Sequence, residues 1–349
     1  MKSFDPLPKI TVIVPNFNDS RFIKQCLESI IHQSIPPDEL IVIDDASTDN
    51  SVFVIKKLLD NCNFAILIEN KINLGVYGAV EIGLQKVTNN YVLFLSANDF
   101  LMPNIFKYAK ESIAKYPNVG LWSSLGWLVD EDDIPLKILP QAVISLSEKY
   151  FSADHCNLLA QRFGNWFVGT SVIYNRSLLH EIDYFDPKFF GLADLISSLI
   201  VASRQGAIFC PVPLAVCRIH SNSFLSSTLS NENLFINILN HLSEKGPKCA
   251  PNLFTPNFLN KTKLRFIFSV IHKSRGYKIV NYLNFTHGFQ NIFLKFIDVF
   301  ISKNYEFIRI FFSFIILRFF DIFVTLFYRY FLMLYIKIKY NKKSFNKIS

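Results

Sequence analysis

Three places in the chain set polar or acidic side chains directly after an apolar run. Asn16 and Asn18 follow Lys9–Pro15 (KITVIVP), Asp44 and Asp45 close Leu40–Asp45 (LIVIDD), and Ser96-Ala97-Asn98-Asp99 follow Tyr91–Leu95 (YVLFL). Carboxylates presented this way suit the holding of a diphosphate through a divalent cation, Mg²⁺ or Mn²⁺, because hard cations take oxygen ligands and bind more tightly as ligand charge rises. Glycine cradles for phosphate are missing. Pro-Asn-Phe-Asn follows the first run where a G-x-G-x-x-G would stand, and no G-x-x-x-x-G-K-[ST] occurs. At 96–99 only Asp99 is charged, so the stretch reads as a working catalytic edge, an altered one, or a turn.

The groups need a frame, and the first 125 residues supply an alternating pattern. Asp19 is placed to cap a helix carrying Phe22, Ile23, Cys26, Leu27, Ile30 and Ile31 at helical spacing. Ser47 or Thr48 starts a second helix with Val52, Ile55, Leu58 and Leu59, and Phe64–Ile68 is a third strand. Residues 76–88 are predicted helical, Pro103 opens a helix to about Tyr116, and Val119–Ser123 is a fifth strand. Strands apolar on both faces, separated by helices, predict an α/β fold: a mostly parallel sheet with helices on both faces. Ligands of such sheets collect at the carboxyl ends of the strands, where the polar groups fall.

The 349 residues are 50% hydrophobic with 36 Phe and a net charge of +8. That charge is uneven. Residues 226–349 hold 18 Lys and Arg against 5 Asp and Glu, leaving residues 1–225 mildly acidic. The tail's basic residues sit among Phe and long aliphatic side chains, a composition for a lipid surface rather than nucleic acid. Six scattered cysteines without C-x-x-C fit free thiols in a reducing compartment. The first residues, MKSFDPLPKI, contain no apolar h-region, so no signal peptide is expected and the body is expected to be cytoplasmic.

The stretches TVIVPNFND, ELIVIDDASTDNS, ENKINLGVYGAVEIGLQ, YVLFLSANDFLMP, GLADLISSLIVASRQG and CRIHSNSF, in that order, resemble the family-2 glycosyltransferases, inverting GT-A-fold enzymes that use nucleotide-sugar donors. The resemblance covers about residues 8–225. It implies that Pro15, Asn16, Phe17 and Asn18 line the nucleobase and ribose pocket. Asp45, beside Asp44, would accept the imide N–H of the base, while Asp44 could equally cap the next helix, and Gly75 would open the loop over the nucleotide. The family typically reads Asp-Ala-Asp-Asp at 96–99. Here Ser96 would meet a ribose hydroxyl, and Asn98 and Asp99 would be the metal ligands, with cation affinity weakened. Where the family often has Ala-Arg-Asn, Ala79-Val80-Glu81 stands. Asp194 falls on the family's general base, with the capping of a helix N-terminus as its alternative and Asp186 as the fallback base. Arg204, Arg218 and His220 resemble basic positions that offset diphosphate charge, although His220 could equally be an ordinary loop histidine. Trp122, Trp127 and Trp166 could stack on a sugar or simply pack.

Beyond residue 225 composition carries the reading. Leu283–Ile301 is an amphipathic helix pattern, and residues 310–328 are long enough to cross a bilayer. Arg318, Asp321, Thr325 and Arg329 form one polar stripe there, which fits a helix lying in the headgroup layer, a span hiding that stripe, or a buried helix of a soluble domain. Lys337, Lys339, Lys342, Lys343 and Lys347 suit anionic lipid. The expected organisation is a GT-A domain over 1–225, with a nucleotide half over 1–125 and an acceptor half over 126–225, followed by a membrane-associating region over 226–349. The leading expectation is an inverting transferase at the cytoplasmic membrane face, moving a sugar to a glycan or lipid-linked acceptor. A catalytically impaired scaffold and a nucleotidyltransferase are the competing readings. Oligomeric state is left open.

Overall fold

The computed structural model describes residues 7–140, 143–183, 185–219, 228, 231–262, 334–336 and 338–340. Strand β1 (Ile10–Asn16) is buried almost throughout, and β2 (Glu39–Asp44) pairs with it in parallel from Thr11↔Glu39 to Asn16↔Asp44. Next come β3 (Ala65–Glu69) and β4 (Tyr91–Phe94), parallel to β2 and β1 respectively. Connecting them are α1 (Ile23–Ile31), α2 (Ser51–Leu59) and α3 (Gly75–Lys86). These are β-α-β units of the expected kind, since a parallel pair needs a crossover long enough to hold a helix.

Beyond β4 the chain departs from simple alternation. It forms β5 (Phe100–Leu101), α4 (Ile105–Lys115), β6 (Leu121–Val129), β7 (Pro135–Leu139), β8 (Lys149–Phe151), α5 (Ala153–Phe163), β9 (Ile173–Asn175) and α6 (Arg176–Glu181). Then follow α7 (Ala193–Gln205), β10 (Ala207–Arg218) and α8 (Glu232–Cys249). The sheet order is β3-β2-β1-β4-β9-β6-β10-β5, with β7 on β6 and β8 on β10. The predicted fifth strand begins at Leu121, runs on to Val129 and does not adjoin β4, because β9 lies between them, antiparallel to both. β6 and β10 are parallel to each other and share the direction of β1–β4. All six parallel strands therefore end at one edge, and the turn before β9 lies at that edge too.

Helix starts differ from expectation in detail. Asp19 begins α1 through its backbone carbonyl, which accepts the Phe22 and Ile23 N–H groups at 2.9 Å, and no side chain caps Phe22. α2 starts at Ser51 rather than at Ser47 or Thr48, and Pro103 precedes α4, whose cap Asn104 is left-handed. One face of the sheet packs on Ile23, Leu27, Ile30, Ile55, Ile105 and Phe106, and the other on Leu84, Ala160, Ile196, Ile200 and Phe254. Trp122 and Trp166 are fully buried and Trp127 nearly so, so all three pack.

The packed body extends past residue 225. Phe235, Ile238, Leu239 and Leu242 of α8, then Leu253, Phe254 and Phe258, are buried against it, and His241 and Lys245 grip Asp186 at 2.6 and 2.7 Å. The boundary expected at 225 thus falls inside the packed unit, because α8 closes the apolar side of α7 and the turn before it. Ile336 is also buried in this core, with Tyr340 packed beside it. The patterns at Leu283–Ile301 and 310–328, and Lys337, Lys342, Lys343 and Lys347, lie outside the described residues. Among the described residues no helix is long and apolar enough to cross a membrane.

Candidate functional site

At the β1/β2 corner the side chains brace one another. Asn16 donates from Nδ2 to Asp44 Oδ1 (2.7 Å) and Ser47 Oγ (3.1 Å), while its own buried Oδ1 has no partner among the described residues. Asp44 Oδ2 accepts the Ser47 N–H at 3.0 Å, so Asp44 holds the β2–α2 turn. Asn18, with φ of 55°, receives the Thr48 N–H on Oδ1 at 2.8 Å. Asp45 differs from expectation. Its Oδ1 accepts Asn70 Nδ2 at 2.7 Å, both oxygens accept the Leu74 N–H near 3 Å, and the residue is 2% exposed. Asp45 is engaged in shaping the loop that enters α3, rather than offering a free carboxylate to a base. Gly75, at φ +74° where a side chain would be strained, turns that loop into the helix. Phe17 and Asn18, just past the end of β1, and Gly75, the first residue of α3, are all exposed.

The second group is the 96–99 stretch. Ser96 is exposed and Asn98 half-buried, but Asp99 turns inward. Its Oδ1 accepts the Arg218 backbone N–H at 2.8 Å and its Oδ2 accepts the Thr170 hydroxyl at 3.0 Å. Burial pushes the Asp99 carboxyl up to about 6, against the opposing pull of those hydrogen bonds and of the Arg218 charge. The Arg218 guanidinium lies beneath the edge, 4% exposed, 4.3 Å from the Phe22 ring centroid. It donates to the Asn98 carbonyl, to Gln25 at 2.8 Å and to Asp133 of the β6–β7 loop. Arg218 is a cross-brace, not a crevice cation.

The third group stands at the start of α7. Asp194 stands in the first turn of α7 and remains exposed, while protein atoms crowd its carboxylate. That desolvation raises its pKa above the ordinary carboxylate value, opposed by the N–H groups of Leu195 and of its own residue. The helix-start and base readings of Asp194 are therefore compatible. Asp194 also crowds Gly169, the residue next to Thr170, so one turn touches both carboxylates. Tyr77 donates to the Phe190 carbonyl at 2.5 Å, and Phe190 holds a left-handed φ of 44°. Asp186, the fallback base, is unsuited. Burial would raise it, but hydrogen bonds from His241 and Lys245 outweigh that and hold it at about 2.

Two sequence expectations do not join the crevice. Arg204 is on the last turn of α7, bonded to the Cys249 carbonyl and to Glu181, and it lines a cavity of about 460 Å³ with Lys115, Tyr116 and Tyr150 at the opposite edge of the sheet. A helix rising about 1.5 Å per residue carries it roughly 15 Å from Asp194. His220 lies outside the described residues. Asn98 and Asp99 do not fit a divalent cation held by the protein: the one carboxylate has both oxygens engaged, and Ser96 and Asn98 are neutral. Among the described residues no group of three His, Cys, Asp or Glu side chains could hold a metal. Gly169, Thr170, Asp133 and the half-buried Cys217 were not singled out from sequence. Only the acidic run Asp130–Asp133 carried a visible signal.

The fold has known counterparts. The model of the family described as Glycosyl transferase family 2 matches residues 11–135. The Staphylococcus aureus TarS 1–349 structure in complex with UDP-GlcNAc superposes with a TM-score of 0.60 over 79% of each chain at 18% identity. The mannosyltransferase PcManGT from Pyrobaculum calidifontis, in complex with GDP-Man and Mn²⁺, covers 91% of this chain and 88% of its own with a TM-score of 0.55 at 18% identity. These likenesses establish a GT-A fold. A glycosyltransferase from Nostoc is 30% identical over 51% of this chain, and the match spans only 54% of that relative's length. A glycosyltransferase from Haemophilus influenzae is 36% identical over 227 residues, 63% of this chain and 85% of its own. With that identity running through nearly the whole Haemophilus protein, the chain belongs to the family-2 glycosyltransferases.

Proposed function

We propose that the chain transfers a sugar from a nucleoside-diphosphate donor to a glycan or lipid-linked acceptor, with inversion, at the cytoplasmic face of a membrane. The observation that carries the reading is the position of Asp194, accessible, desolvated, and one turn away from the edge where β1, β2 and β4 end. The base and ribose of the donor lie against Pro15–Asn18 and Gly75, and Ser96 and Asn98 meet its ribose and diphosphate. Asp194 takes the proton of the acceptor hydroxyl as that oxygen attacks the anomeric carbon, and the nucleoside diphosphate leaves from the opposite side. A raised carboxyl pKa suits a group that must accept a proton and later release it. A donor-bound Mg²⁺ or Mn²⁺ would neutralise the departing diphosphate, and its ligands would come chiefly from the donor. Residues 263–333 and 341–349 supply the membrane contact.

The test measures donor turnover by wild type and Asp194→Asn, with UDP- and GDP-sugars in turn. Release of free UDP or GDP, slowed by about 10²–10⁴ in the variant with donor binding unchanged, supports the reading. Pyrophosphate release, or equal rates, would sink it. A non-catalytic scaffold is the second reading, favoured by the inward turn of Asp99 and the neutral Ser96 and Asn98. It predicts no turnover by either protein.

A further inference from the structure

We propose that Gly169 is a positioning residue for the proton-accepting carboxylate, and that Gly169-Thr170-Ser171 is a spacer setting Asp194 against the Asp99 edge. This rests on the reading of Asp194 given above. Each of the three residues touches a different element. A Cβ on Gly169 would fall inside the envelope of Asp194 Oδ2, with Asp194 Cγ at 3.4 Å. Thr170 donates to Asp99 Oδ2 at 3.0 Å. Ser171, fully buried, donates to the Ser124 carbonyl on β6 and accepts the Ser124 N–H, both at 3.1 Å.

Glycine is needed here for space and not for backbone freedom, because Gly169 is absent from the positive-φ residues, which include Gly75, Gly164 and Gly206. An alanine would adopt the same backbone without strain. Its methyl group would then have to displace the Asp194 carboxylate from the position it holds against Gly169. The start of α7 is held from behind, where the Tyr174 hydroxyl lies 3.2 Å from the Asp194 carbonyl and 2.7 Å from Ser198 Oγ. Tyr174 belongs to β9, the strand that the spacer leads into, so the spacer and the helix start are fixed to the same strand. Only the Asp194 side chain is left to yield. A displacement of about 1 Å at a reacting group is enough to lose about 10²-fold in rate.

The experiment uses the full chain as wild type, Gly169→Ala, Asp194→Ala and the double variant. Thermal unfolding reads the contact without any substrate. Gly169→Ala should melt lower than wild type, and the same substitution in the Asp194→Ala background should melt no lower than its parent, because the clash has gone. If Gly169→Ala fails to fold alone but folds in the double variant, the contact is supported. Equal losses in both backgrounds would overturn it. Turnover then reads the positioning: Gly169→Ala should lower kcat about 100-fold with donor KM within about threefold. Wild-type kcat in Gly169→Ala would overturn the positioning role. Wild-type kcat in Asp194→Ala would instead overturn the base assignment while leaving the steric result standing.

Discussion

Asp99→Asn separates a buried latch from a cation ligand. Asp99 is 6% exposed, and burial lifts its carboxyl from 3.8 to about 6. A carboxyl raised in the folded state contributes stability that is complete below its unfolded pKa, near 4, and is lost as pH rises toward 6. Two units at about 1.4 kcal/mol each make that loss about 3 kcal/mol. Asparagine has the same shape and no charge to desolvate. Its carbonyl can receive the Arg218 N–H, and its amide can donate to the Thr170 hydroxyl, which is able to accept. Urea unfolding of wild type and Asp99→Asn at pH 4.5, 5.5, 6.5 and 7.5 gives the comparison. The difference between them should move in favour of the variant by about 2 kcal/mol across that range and level off above pH 6.5. A difference that stays flat, or that favours wild type increasingly at high pH, would refute the reasoning. UDP affinity measured on the same variant should change little, whereas a cation ligand would lose Mn²⁺-dependent binding.

Other perturbations probe the rest of the frame. Calorimetric titration with UDP should give a Kd that shifts less than about threefold between EDTA and Mn²⁺, since both oxygens of Asp99, the one carboxylate at 96–99, are already engaged. Arg218→Met should destabilise the chain by about 3 kcal/mol in urea unfolding, because Asp133 and the Asn98 carbonyl lose a buried guanidinium partner. Gly83→Ala puts a methyl group 2.8 Å from Ile13 and 2.9 Å from Ile43, and should lower stability by about 1–3 kcal/mol while leaving UDP binding intact. Arg204→Ala should lose about 1 kcal/mol of stability and leave UDP affinity unchanged in calorimetry, which a diphosphate-binding arginine would not.

The nucleotide half was legible because its signals are local. β1, β2 and β4 are apolar on both faces, and α1 and α3 repeat their buried residues at helical spacing, so the run of elements to Lys86 lies within a few residues of the prediction. β9 was not legible, since three residues (IYN) carry no period, and its place between β4 and β6 is decided by pairing across the chain. The same holds for the site. Asp194 was marked only by the family resemblance of its stretch, and the inward turn of Asp99 depends on Thr170 and Arg218, 71 and 119 residues away. Asp45 was read as a ligand group because sequence shows that a carboxylate follows a strand, not that Asn70 and Leu74 come back to occupy it. Arg204 matched a motif position, yet helix length alone puts it at the far edge of the sheet.

Ile336 and Tyr340 return to the body that Phe254 and Phe258 also belong to. Two stretches far apart in the chain, 253–258 and 336–340, thus close one core, so a truncation before Ile336 would uncover apolar surface on the body itself.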